Sequence, residues 1–64
     1  MSAALISREL SLQSRVHQCG IKHTAFEGLT TTEQRKDSFR KVILDNQLQE
    51  KLGAEFAAVY GEPV

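Results

Sequence analysis

A chain of 64 residues bounds the answer to one small unit that hides about 60% of the surface its unfolded form exposes. Hydrophobic residues make up 41%, with no tryptophan, three phenylalanines and one tyrosine, so burial and chain entropy come out near balance and self-association or a host complex is expected to add stability. Eight basic residues against eight acidic ones exclude the strongly basic stripe of a phosphate-binding surface, and no apolar run approaches the roughly 20 residues of a membrane span.

The N-terminal segment Met1-Ser-Ala-Ala-Leu-Ile-Ser-Arg8 reaches polar residues too soon for a signal peptide. A single cysteine, Cys19, has no internal disulfide partner, which agrees with a reducing, cytoplasmic setting.

From Ala3 to Cys19, residues Leu5, Leu12, Val16 and Cys19 fall on one side at 100° per residue, and Ile6 and Leu10 widen that stripe. The spacing predicts a core-facing helix with Ser2 as its N-cap. A strand through the alternating Leu10, Leu12, Ser14 and Val16 competes with it but has no pairing partner elsewhere in the chain. Gly20 stands where a left-handed helix ending belongs, with Ile21 placed to touch Val16.

Ile21, Ala25, Phe26 and Leu29 then predict a short second helix over 21–29, weakened by Gly28. The run Thr30-Thr-Thr-Glu33-Gln34 is a capping-box signal that starts a third helix near Thr31 or Thr32. That helix carries Phe39, Val42 and Ile43 on one face, whereas Leu44, Leu48, Leu52, Phe56 and Val59 lie on a stripe rotated by more than a right angle. One straight helix cannot bury both stripes, so a break is expected at Asp45-Asn46-Gln47, with a second capping box from Asn46 and Gln49 and a fourth helix from about Gln47 to Tyr60. Gly53 weakens this helix, and Gly61 and Pro63 end it.

No cofactor, metal or catalytic constellation emerges. His17 and His23 are six positions apart across a glycine turn, not at the i, i+4 spacing that aims two rings at one ion, and Cys19 reads as a small core residue. A Cys–His nucleophile needs a cleft and an orienting third group that so short a chain has little room for, so no enzymatic activity is expected. The four glycines form no phosphate loop. Asp37, Asp45, Glu50 and Glu55 alternate with Arg35, Lys36, Arg40, Lys41 and Lys51, the pattern of a solvated helix face with pairs such as Asp37 with Lys41.

The stretch from Leu12 to Thr31, with Val16, Cys19, Gly20, Ile21, Phe26 and Leu29 at core spacings, resembles the helix-turn-helix of repressor-like proteins. That resemblance implies a recognition segment over 21–29, with Lys22, His23, Thr24 and Glu27 toward the major groove and Arg15 and Thr31 near phosphates. The stretch Asp37-Ser-Phe39-Arg40-Lys-Val-Ile43-Leu44-Asp-Asn46 is similar to part of nitrile-hydratase-like leader peptides, which implies a helical leader that docks a modifying enzyme. Gln47 stands where that family has proline.

The reading is an all-α bundle of about four short helices over 1–64, including a helix-turn-helix-like hairpin. Its expected function is that of a small non-enzymatic regulator or adaptor binding a protein partner or another copy of itself. Leu44, Leu48, Leu52, Phe56, Val59 and Tyr60 form the candidate interface, unless the core consumes them. The alternative is a DNA-binding regulator that uses the 21–29 segment.

Overall fold

The computed structural model of the chain describes residues 3–64, with the backbone alone at Ala3, His23 and Ala25. The predicted N-cap Ser2 lies outside the described residues. Three α-helices and one short 3-10 turn follow in order: α1 (Ala3–Gln18), the 3-10 turn (His23–Phe26), α2 (Thr32–Asp45) and α3 (Gln49–Tyr60).

Helix α1 places Leu12 and Val16 in the core at 1% and 0% exposure. It ends as the glycine signal predicts. The Ile21 amide donates to the Val16 carbonyl and the Gly20 amide to that of His17, with Gly20 at φ +92°, the paired bonds of a Schellman ending. Cys19 lies in that turn and is exposed, not buried as expected, because the chain leaves the bundle there.

The expected second helix over 21–29 shrinks to four residues. Lys22 and Glu27, on either side of the 3-10 turn, are extended at ψ 147° and 142°, and Gly28 follows at φ +78°. The apolar positions Ile21 and Phe26 still pack against the core, so their spacing reports burial rather than a helix. Among the described residues the fold therefore has three α-helices, not four, and the 21–29 segment forms a 3-10 turn in place of the second arm of the helix-turn-helix hairpin.

Helix α2 begins with the capping box the sequence signals. The Thr31 hydroxyl accepts from the Gln34 amide at 3.1 Å, and the Gln34 side-chain oxygen accepts from the Thr31 amide at 3.2 Å. The expected break also occurs, by a different device from the one expected. Asn46 is the C-cap of α2, its side-chain amide donating to the Val42 carbonyl. Gln47 takes φ +57°, and the Leu48 amide returns to the Ile43 carbonyl at 2.8 Å. This is a second Schellman ending with a glutamine in the position that favours glycine. Helix α3 consequently starts behind Leu48 without a side-chain cap, and the Asn46–Gln49 capping box does not form. Gly61, at φ +73°, closes α3.

Helix α3 packs against both α1 and α2, and the 3-10 turn packs on α2. Leu12, Val16, Phe39, Ile43, Leu52 and Phe56 make the core, with Ile21, Phe26, Val42, Leu48, Val59 and Tyr60 packed around it. The rings form a chain through it, Phe26 to Phe39 at 4.5 Å between centroids, Phe39 to Tyr60 at 6.3 Å and Tyr60 to Phe56 at 5.0 Å. Inside α2, Asp37 pairs with Arg40, not with Lys41. Phe39 and Ile43, the apolar centre of the leader-like stretch, point into the core and are not available for docking. Among the described residues, no helix is long and apolar enough to cross a membrane.

Candidate interaction surface

Two arcs run side by side along α1. Leu5, Glu9, Leu12 and Val16, spaced at four, three and four, form the inward arc; Ile6, Leu10 and Gln13 form the next one round. Ile6 is 41% exposed and Leu10 61%, so the stripe predicted to widen the core instead faces outward. The reason is geometric. With α3 the one element packed extensively against it, α1 buries one narrow arc, and the next arc is left over.

Beside Ile6 and Leu10 opens a groove of about 370 Å³ whose apolar wall is completed by Phe26 and Phe39. Glu9 and Arg35 lie at its floor, and Gln13 and Glu27 border it. Glu9 is 5% exposed. Both its carboxylate oxygens accept from the Arg35 Nε, at 3.1 and 3.2 Å, and one accepts the Tyr60 hydroxyl at 2.6 Å. Arg35 also donates to the Thr32 hydroxyl at 3.2 Å. One buried carboxylate thus ties α1, α2 and α3 together. Burial, and then the Glu9 hydrogen bond, push the Tyr60 phenol well above its usual pKa, so Tyr60 remains a donor to Glu9. Among the described residues, no buried side-chain nitrogen or oxygen lacks a hydrogen-bond partner.

The α3 stripe lies elsewhere. Leu52 and Phe56 are at 0% exposure, and Leu48, Val59 and Tyr60 pack half-buried against the same core. Of the six residues expected to form an interface, Leu44 alone is an exposed large hydrophobic, at 42%. The core takes the stripe because α3 is sandwiched between α1 and α2.

The residues expected at DNA do not assemble on a recognition helix. Arg15 is paired with Glu55 of α3 at 2.6 Å. Thr31 spends its hydroxyl on the α2 cap. Lys22, Thr24 and Glu27 are exposed in and around the 3-10 turn, and the side chain of His23 lies outside the described residues. His17 is exposed on α1, its Nδ1 3.2 Å from the Ile21 carbonyl oxygen. Among the described residues, no three His, Cys, Asp or Glu side chains are gathered as a metal site.

Sequence reasoning missed Glu9, although a signal was present: an acidic residue standing in the middle of the inward arc, between Leu5 and Leu12. A second polar cluster fastens the end of the chain, where Glu62 accepts from Arg40 and from Lys36, the latter at 3.2 Å. The Arg40 guanidinium also sits 5.2 Å over the Phe56 ring.

No protein-family model matches this chain, and neither a curated protein nor a solved structure is significantly similar to it.

Proposed function

We propose that the chain is a small non-enzymatic interaction module, a cytoplasmic regulator or adaptor that engages protein through the face formed by α1 and the 3-10 turn. The observation that carries this reading is the exposure of Leu10 and Ile6, at 61% and 41%, beside an open apolar groove. Clustered large apolar side chains at a concave site gain by covering, whereas scattered ones do not. The Glu9 network also fastens the floor of the site to all three helices. The ionisable groups at that floor, Glu9 and Arg35, are spent on each other, which supports binding over chemistry.

Support for the DNA alternative is weaker. A four-residue 3-10 turn rises about 8 Å, too little to lay a reading surface along a major groove, and Arg15 is held by Glu55. A photoreactive residue placed at position 10, with exposed Glu50 on α3 as the control position, tests the proposal in cells. Protein adducts at position 10 and none at position 50 are expected. No protein adduct at position 10, or equal labelling at both positions, overturns it.

A further inference from the structure

We infer that the partner of this face is a protein segment carrying a lysine or arginine beside apolar side chains, the cation meeting Glu27 at the rim and the apolar groups filling the groove. The inference rests on the reading of the face as an interaction surface and names the chemistry that covers it. Three ionisable groups line the groove, Glu9, Glu27 and Arg35. Glu9 and Arg35 cancel as a pair, the guanidinium spending its Nε on both carboxylate oxygens and one Nη on the Thr32 hydroxyl. The charge left over is the Glu27 carboxylate, which is exposed and joins no ion pair among the described residues. The fold fixes it there. Its backbone amide closes the 3-10 turn by donating to the Thr24 carbonyl at 3.3 Å, directly after Phe26, whose ring packs on Phe39.

The lining selects by charge as well as by shape. A purely apolar segment gains by covering Ile6, Leu10, Phe26 and Phe39, but it leaves the Glu27 carboxylate partly desolvated with no donor, a cost that a cation offsets. An acidic segment meets Glu27 at the rim and the Glu9 carboxylate at the floor, and Arg35 offers it little, being already neutralised by Glu9. A polycation without apolar groups finds one free carboxylate against an apolar wall, and a single exposed ion pair holds little by itself. The basic residue and its apolar neighbours are therefore needed together. At about 370 Å³ the groove lies at the small end of the roughly 300–1,000 Å³ of ligand sites, so it admits a few side chains and not a whole helix face. Because the pair at Glu27 is exposed, the preference for a cation is modest and is screened by salt.

Amide NMR titrations of the intact chain at low salt test this, with acetyl-Leu-Leu-Lys amide as the probe beside the same blocked peptide ending in Gln or in Glu. Shifts are expected at Leu10, Phe26, Glu27 and Phe39. The Lys peptide binds about two- to fivefold tighter than the Gln peptide, the Glu peptide binds weakest, and the Lys preference fades as salt rises. Glu27→Gln removes the preference while the spectrum stays dispersed, and Glu27→Lys turns it toward the Glu peptide. Equal affinity for the three peptides, a Lys preference that survives Glu27→Gln, shifts gathered away from the groove, or no binding by any peptide at millimolar concentration overturns the inference. A failed titration with protein adducts still formed from position 10 overturns the basic, apolar partner and leaves the interaction module standing; a failed titration with no adduct overturns both.

Discussion

Gln47 holds φ +57°, a conformation in which an L side chain crowds its own backbone and glycine does not. The position ends α2, and its hydrogen bonds are made by backbone amides alone, so a side chain there adds strain without adding a contact to the cap. Gln47→Gly is expected to stabilise the chain by about 1 kcal/mol, read as a raised thermal midpoint with an unchanged helical spectrum. Glu9 behaves in the opposite sense. Removing its carboxylate leaves the Arg35 guanidinium and the Tyr60 hydroxyl without their partner in a half-buried site, so Glu9→Ala is expected to cost about 3 kcal/mol, measurable by urea unfolding. Neither residue was fully legible. The position of Glu9 on the apolar arc marks it as buried, but its partners come from α2 and α3, 26 and 51 residues away, and no local pattern names them.

At the scale of the element, the helix ends read best, because a cap is a local bargain among a few neighbouring residues. The Gly20 ending and the Thr31–Gln34 box follow from their sequences alone. The 21–29 segment read worst. Its apolar spacing is equally compatible with a helix and with an extended segment that packs on the core at intervals, and the backbone at Lys22, Glu27 and Gly28 takes the second course. Within α3, Gly53 sits in ordinary helical geometry with open space where a Cβ would stand. Gly53→Ala is therefore expected to stabilise α3 by about 0.5–1 kcal/mol, again read from the melt. The last residues are tied to α2 through Glu62. Hydrogen bonds from Arg40, then Lys36, hold its carboxyl below the usual value of 4.5. A depressed folded pKa gives stability that is complete above the unfolded value and lost as pH falls through the folded one. Acid unfolding of the chain below pH 4.5 should accordingly show a Glu62 contribution, and Glu62→Gln should flatten the curve in that window while leaving its shape near neutrality unchanged.

The whole molecule has a radius of gyration of 10.6 Å, against about 10.7 Å for a compact domain of this length. Its accessible surface of 4229 Å² is close to the roughly 4,100 Å² of a monomer of this mass. The three helices thus bury what a monomer must bury, which is why the α3 stripe went to the core. Among the described residues, the exposed large hydrophobics are Ile6 and Leu10 of α1 and Leu44 at the end of α2, and it is Ile6 and Leu10 that stand beside a groove. The central claim is that this α1 face, and not α3, is where the molecule meets another. Photoreactive side chains placed singly at positions 6 and 10 of α1 and at position 50 of α3, compared in cells, test it most directly. The account predicts protein adducts from positions 6 and 10 and none from position 50. Adducts from position 50 alone, or none from α1, would contradict it.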